Sequence, residues 1–547
     1  MADSDSAVMD VLTREGGPFE LTDIAVHGGT LRGLRRAEAG LASLFENFDR
    51  FADRPFIVDG NRRLSFADTA AAASRLATVL VAHGVQRGDR VALAGANSAE
   101  WMTGFVATVA VGAIPALINS RGTAQDMAHA IALVEARLVL ADEKRAAMLA
   151  PLGLACLVPE IDASPGAPAL QRPQVAPDDA AMILFTSGTT GRAKGAILSH
   201  RAALTGLLLA QMAGAIIAIR MLGPDALAMP RPQQATLLAF PLFHVSGCHA
   251  TFLSALASGG RLVVAPKWEP DEIVALIERE GVNAVSGSPA MIWDLIAAKE
   301  RTGASLATLS SVSTGGQAQP VNLLDAVVAA FPRAIVGTGF GATETAGMIA
   351  MHTGADYLAR PRAAGRVLAL AEVRIRDAAG GDLPAGEAGE IVVRGPMVMS
   401  GYWNDPDATA HALGDGWLRT GDVGTLDERG NLTILDRLTD MVISGGENIY
   451  CAEVEAAIQQ HPGIVEAAAY GVPDPRLGER LVAVVRGADR VDLEALHGHL
   501  RAALADYRRP TEIRVIDYGL PRNALGKVDK RALRAAHGQG SDADAAA

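Results

Sequence analysis

Ten consecutive residues, Thr186-Ser187-Gly188-Thr189-Thr190-Gly191-Arg192-Ala193-Lys194-Gly195, hold four hydroxyls, three glycines and a lysine. They follow a short apolar run, Ala181–Phe185. Glycines let backbone N–H groups approach an anion closely, hydroxyls add donors, and Lys194 supplies charge. That combination suits a polyphosphate; a polar surface turn is the bland alternative. The spacing Gly188-x-x-Gly191-x-x-Lys194-Gly195 does not fit the G-x-x-x-x-G-K-[ST] loop of ordinary nucleotidases. Other reactive groups stand in weaker contexts. His244 ends the apolar run Phe240-Pro241-Leu242-Phe243, where a packed core histidine is the common case. Glu344 closes Thr338-Gly339-Phe340-Gly341-Ala342-Thr343, which reads as a glycine-rich turn. Asp422 lies in Arg419-Thr420-Gly421-Asp422-Val423-Gly424, where a turn former is the default. Lys527 follows a glycine in Leu520–Val528 and alone reads as a surface charge. Ser313-Thr314-Gly315-Gly316-Gln317-Ala318 carries two adjacent glycines, which fit a left-handed turn.

These groups need a scaffold. The 547 residues carry a net charge of −12, with 49% hydrophobic and 20% charged residues, which excludes wholesale disorder. A pI near 5.5 without a long basic run argues against nucleic acid as the main partner. Cys156, Cys248 and Cys451 are widely spaced and form neither a metal-ligand pattern nor a disulfide framework, so a reducing compartment, the cytoplasm, is expected. Met1–Glu20 shows no basic stretch followed by an apolar one, so no secretory signal is expected. The most apolar segment, Ala202–Ile219, is interrupted by Thr205, Gly206, Gln211 and Gly214. It reads as a buried core helix ahead of a membrane-surface helix or a span.

From Leu41 the chain alternates helical patterns with short β-branched runs. Ala67–His83 reads as a helix with Ser65 as candidate cap, and Arg90–Ala94 as a strand. The rhythm continues through Glu100–Ala113, Ile114–Ile118, Ala124–Val134, Leu138–Ala141, Thr236–Ala239, Ala250–Ala257, Arg261–Val264, Glu269–Glu280, Ala284–Gly287 and Ala334–Gly337. It predicts an α/β fold with mostly parallel layered sheets. Short strands at Ala371–Asp377, Gly389–Arg394 and Leu432–Leu435 predict an antiparallel β subdomain. Beyond Asp436 a small α+β domain is expected. The boundaries are 1–436 for the large N-terminal domain, with a lead-in at 1–40, then 437–536 for the small mobile C-terminal domain and 537–547 for a disordered tail.

Taken in order, these segments resemble the motifs of the adenylate-forming superfamily: acyl-CoA synthetases, peptide-synthetase adenylation domains and luciferases. The resemblance covers about residues 40 to 535. It implies an AMP-forming acid–thiol ligase that uses ATP, Mg²⁺ and CoA. Such an enzyme activates a carboxylic acid as acyl-AMP, releases pyrophosphate, and passes the acyl group to a thiol. An apolar acid, with a lean toward a fatty acid, is expected. A ligase for aromatic or alicyclic acids, including steroid-derived ones, and an enzyme loading a separate carrier protein are the alternatives, ahead of a catalytically dead scaffold and a luciferase-like oxygenase. At family level a homodimer is expected, and a peripheral membrane contact stays open.

The resemblance also assigns roles. Thr186, Ser187, Gly188, Thr189, Thr190, Gly191 and Lys194 hold phosphates. Gly339, Phe340, Gly341 and Ala342 bind adenine; Phe340 replaces the more usual Tyr, which keeps stacking and loses a phenolic hydrogen bond. Thr343 contacts the α-phosphate. Glu344, a hard oxygen ligand, binds Mg²⁺. Asp422 has two acceptor oxygens for the ribose diol, and Arg437 reaches ribose and phosphates. His244, Val245, Met291, Gly315, Gly316, Gln317, Phe340 and Gly347 line the acyl pocket, with His244 facing the carboxylate. Ser444, Gly445, Gly446 and Glu447 approach the pantetheine arm of CoA after a domain rotation. Lys527 is the adenylation lysine. The hinge pivot falls at Thr439 or Asp440.

Overall fold

The computed structural model describes residues 2–26, 29–164, 166–187, 193–229, 232–315, 321–445, 447–488, 490–522 and 527–540. Gly188, Thr189, Thr190, Gly191, Gly316, Gln317 and Gly446 lie outside the described residues.

Helix and strand positions follow from local rules. Phe66–Ala82 is a helix opened by a capping box: Ser65 Oγ accepts from Asp68 N at 3.0 Å, and Asp68 Oδ2 accepts from Ser65 N at 2.9 Å. Arg90–Ala94 is a near-continuous apolar run, which a parallel strand covered on both faces requires. It pairs in parallel with Ile114–Leu117 and Leu138–Ala141 in a six-stranded sheet. The other half of that sheet is the antiparallel hairpin of Ala180–Ser187 with Ala193–Ser199, edged by the two-residue strand Gly401–Tyr402.

A second, 14-stranded sheet runs from Glu372–Arg376 to Arg62–Ser65. Its central strands Ala235–Leu238, Ala284–Gly287, Ser311–Thr314 and Ile335–Ala342 pair in parallel. The strands at 347–437 pair antiparallel, as expected, but they continue the same hydrogen-bonded path instead of closing a sheet of their own. Leu237, Val285, Val312 and Val336 fill the core on one face of this sheet.

His200–Leu222 is one helix whose most apolar stretch is mostly buried among both sheets, so it is a core helix in this fold. Only its end and the following turn expose apolar groups: Met221, Leu222, Leu227 and Met229. Gly206 lets this helix press against the backbone at Ala346, where a Cβ would clash with the carbonyl oxygen.

The small C-terminal part folds around a separate five-stranded sheet, led by the long antiparallel pair Ile464–Asp474 and Gly478–Gly487. Glu455 and Lys530 form a 2.8 Å ion pair inside it.

Three expectations need correction. The segment after Gly337 is strand, not a turn: Ile335–Ala342 runs on and pairs antiparallel with Gly347–Thr353. The helix expected at Ala250–Ala257 begins at Val245 and passes through a π turn, Cys248–Leu253, before ending at Ser258. The tail expected from His537 instead begins as part of helix Lys530–Gly540, with the His537 ring buried beside Tyr470 at 6.0 Å.

Candidate active site

The sequence motifs meet in one cleft of about 2310 Å³ between the two parts of the chain. The hairpin register brings Thr186 opposite Lys194 and Ser187 opposite Ala193. Thr186 and Lys194 line the cleft.

Strand Ile335–Ala342 delivers Gly339, Phe340, Gly341 and Ala342 to the same cleft. A β-bulge interrupts its pairing between Phe340 and Gly341. A Cβ on Gly341 would collide with Gly347 O, so this glycine is needed for strand approach. A short 3₁₀ turn, Thr343–Thr345, then swings Thr343 and Glu344 into the opening. Thr345 Oγ1 fastens the turn, accepting from Ala342 N at 2.9 Å and donating to Gly347 O at 2.8 Å.

Asp422 sits within strand Trp417–Leu426 and is buried. Arg437 Nε pairs with its Oδ1 at 2.7 Å. Burial raises its carboxyl pKa, with Arg437 and Lys527 opposing. Lys527 is recessed among Asp422, Glu344, Arg437 and His244. Burial, then the Arg437 charge, holds its ammonium below the usual lysine range, against the pull of Asp422 and Glu344. His244 Nδ1 is engaged by Ser246, at 3.2 Å to Oγ and 3.3 Å to N. Burial, then Lys527, brings its pKa down to about 4, so the imidazole is neutral at ordinary pH.

The AMP-binding enzyme family model matches residues 44–403, and the model of the AMP-binding enzyme C-terminal domain matches residues 453–527. The chain belongs to the AMP-binding enzyme family. It is 35% identical over 484 residues to a feruloyl-CoA synthase of an Amycolatopsis species, spanning 87% of this chain and 94% of that one. A 3-[(3aS,4S,7aS)-7a-methyl-1,5-dioxo-octahydro-1H-inden-4-yl]propanoyl:CoA ligase of Mycobacterium tuberculosis is 34% identical over 529 residues, covering 92% and 99%. Among solved structures, the o-succinylbenzoate CoA synthetase of Bacillus subtilis, in complex with its acyl-adenylate intermediate, superposes with a TM-score of 0.78 at 28% identity, covering 90% of this chain and 97% of that one.

One further residue of this AMP-binding enzyme joins the site without a sequence signal. The Tyr402 hydroxyl donates to Glu344 Oε1 at 3.0 Å, and Lys194 Nζ lies 5.2 Å over the Tyr402 ring. The segment around it is strapped to both neighbours: Met399 N donates to Glu344 O at 2.8 Å and Trp403 N to Gly195 O at 2.7 Å. Burial and Glu344 push the phenol pKa up, which keeps it a donor.

Glu344 offers a hard carboxylate, fixed by that phenol, on the wall of the cleft. Among the described residues no three acidic, imidazole or thiol groups cluster as metal ligands. A cation here fits the habit of Mg²⁺, which takes one or two carboxylates and completes its shell with phosphate oxygens and water.

Not every expected residue arrives. Val245, Gly315 and Gly347 line the cleft. Met291 does not; its side chain packs on the second core, and Pro289, Ala290 and Trp293 of the same helix take the wall instead. Ser187 ends the strand Ala180–Ser187. Ser444, Gly445 and Glu447 also stand outside the cleft, on the hairpin Val442–Ser444 and Glu447–Ile449.

The two parts of the chain are joined near residue 439. Leu438 N donates to Gly421 O of the large domain at 2.9 Å. Asp440 is held on the other side: its carbonyl accepts from Cys451 Sγ at 3.0 Å and its carboxylate pairs with Arg534 at 3.3 Å.

Proposed function

We propose that this enzyme is an ATP-dependent acyl-CoA ligase for a ring-bearing, aromatic or alicyclic, carboxylic acid. The convergence of Thr343, Glu344, Asp422, Arg437 and Lys527 in one cleft carries the reading. The named substrates of the relatives, feruloyl, indenylpropanoyl and succinylbenzoate, support a ring over the fatty acid toward which the sequence leans.

In the first half-reaction a carboxylate oxygen attacks the α-phosphorus of ATP, the bond to the β-phosphate breaks, and pyrophosphate leaves. Two anions meet, so catalysis is chiefly positioning and charge neutralisation. Lys527 lies between the carboxylate and the α-phosphate, Thr343 donates to that phosphate, and Lys194 faces the β- and γ-phosphates. His244 meets the carboxylate as a neutral donor and adds no charge to the site. Phe340 stacks on adenine, and Asp422 with Arg437 holds the ribose. Mg²⁺ on Glu344 supplies further neutralisation of the phosphates.

In the second half-reaction the CoA sulfur, having lost its proton to solvent, attacks the acyl carbon, and AMP leaves. Lys527 occupies the cleft while Ser444, Gly445 and Glu447 stand outside it, so one arrangement cannot serve both steps. We place the rotation at Thr439, the residue between the large-domain anchor at Leu438 and the small-domain anchor at Asp440. Three free thiols suit the cytoplasm as its compartment.

The test is acid-dependent formation of AMP and pyrophosphate from Mg·ATP with a panel of ring and fatty acids, followed by thioester analysis with CoA. ADP and phosphate as products, or AMP only with fatty acids, would refute the respective part. Thioester formed only on a carrier protein would replace CoA.

A further inference from the structure

The acyl end of the cleft has an unusual wall. In register across the central strands, Thr236 stands beside Ala284, Ala284 beside Ser311, Ser286 beside Ser313, Ser311 beside Ile335 and Ser313 beside Gly337. Residues in register share a face. The opposite face carries Leu237, Val285, Val312 and Val336, fully packed. Central parallel strands are ordinarily apolar on both faces. Here one face is small and hydroxylated, and Thr236, Ser286, Ser311 and Ser313 are all half-exposed in the middle of the molecule, facing the cleft.

The wall across from them is the helix from Val245 to Ser258. Ser246, Ala250, Ser254 and Ser258 line the cleft, whereas Cys248, His249, Phe252 and Leu253 are buried on the other side. Three hydroxyls on this helix are used internally: Thr251 Oγ1 donates to Ser246 O at 2.9 Å, Ser258 Oγ to Ser254 O at 2.8 Å, and Ser246 Oγ meets His244. Among the described residues, the hydroxyls of Thr236, Ser254, Ser286, Ser311 and Ser313 have no hydrogen-bond partner. Hydroxyls that face a cleft without a protein partner are left to hydrogen-bond water or whatever ligand displaces it, so this wall suits polar groups.

This wall of the cleft is also long. From Gly339, beside the adenylate site, back to Ile335 is four strand steps, about 13 Å. Its far end is Gln234, Ser258, Gly260 and Ser311. The residues facing inward along its length are mostly Ala, Ser, Thr and Gly, which leaves width for a ring.

We propose that the acid is an extended ring compound bearing oxygen substituents, hydroxyl or keto, on the part remote from its carboxylate, and that Thr236, Ser254, Ser286, Ser311 and Ser313 hydrogen-bond those oxygens. This rests on the adenylation reading above and narrows its substrate class. It differs from the expectation of an apolar acid. A site built to hydrogen-bond a substrate oxygen discriminates strongly against the analogue lacking it, because its own groups are then left unpaired.

The experiment uses matched acids: cinnamate against 3,4-dihydroxycinnamate, and a bicyclic propanoate with and without ring ketones. The readout is kcat/KM for acid-dependent AMP formation. The oxygenated member should be favoured by at least about tenfold in at least one pair. In the Ser286→Ala/Ser311→Ala double variant that ratio should fall to within about threefold. A ratio within a single preparation is independent of how much of the variant is folded. Deoxygenated acids used as well or better in both pairs, or a ratio the double variant leaves intact, overturns the assignment of this wall alone. Absence of AMP with every acid overturns the adenylation reading itself.

Discussion

Lys527→Ala tests the division of labour between the two half-reactions. In the structure Lys527 is recessed beside Asp422 and Glu344, with Arg437 and His244 as its other charged or titratable neighbours. His244 is neutral at working pH, and the Arg437 side chain is more than half exposed and already paired with Asp422. Lys527 therefore brings a buried positive charge, set beside Asp422 and Glu344, to the place where two anions must approach. A unit charge about 4 Å from a phosphate oxygen at an effective dielectric near 20 is worth about 4 kcal/mol. Partial compensation by Arg437 leaves about 3 kcal/mol, a loss of roughly 150-fold in adenylation. The assay is carboxylate-dependent ATP–pyrophosphate exchange for the first step, and conversion of chemically supplied acyl-AMP plus CoA to thioester for the second. The first should collapse by that factor while the second stays within about twofold of the unaltered enzyme. Equal losses in both steps would refute the idea that the lysine withdraws before the thiol arrives. The same pair of assays on Lys527→Arg should show a smaller defect confined to the first step, since the charge is kept and its shape changed.

Further predictions draw on other parts of the structure. Tyr402→Phe removes the hydrogen bond that orients Glu344, so the Mg²⁺ concentration at which ATP half-maximally raises the melting temperature should increase about fivefold; an unmoved midpoint would remove Tyr402 from the site. Gly206→Ala puts a Cβ against the carbonyl of Ala346 and should cost about 1–3 kcal/mol in denaturant unfolding, with no loss expected if the helix can shift freely. His200, His244 and His249 are each held by burial to about 4, below the unfolded value of 6.5. Between those values the unfolded chain binds protons that the native state refuses, so stability should fall as pH drops from 6.5 toward 4. At pH 5 each contributes a loss of about 2 kcal/mol, roughly 6 in all, and an unchanged urea midpoint between pH 7 and pH 5 would contradict it.

Local chemistry was legible where it acts over a few residues. Ser65 and Asp68 announce their helix because both caps lie within one turn. Arg90–Ala94 and Arg261–Val264 announce themselves as short apolar runs bounded by helices. Glycines misled: Gly339 and Gly341 look like turn formers, yet they serve a strand pairing whose partner lies beyond the next turn. Composition misled at His537, where small polar neighbours hide a ring buried against Tyr470. The site residues Asp422, Glu344 and Lys527 were legible through the resemblance of their motifs, not through periodicity. Tyr402 was not, because its meaning depends on Glu344, 58 positions away and reached only through folding. Met291 failed for a subtler reason: the helix was located, but which of its faces meets the cleft depends on the core packed behind it.

The π turn at Cys248–Leu253 has a consequence for how such enzymes diversify. An α-helix advances about 100° per residue, so deleting one residue from the wide turn would rotate everything downstream by that angle. Ala255 and Gly259 would then take the places of Ser254 and Ser258, removing the unpartnered Ser254 hydroxyl from that side of the cleft. A single lost codon would thus reshape one whole wall at once while the hydroxyls of the facing sheet stay in place, a far shorter mutational path than rebuilding that wall one side chain at a time.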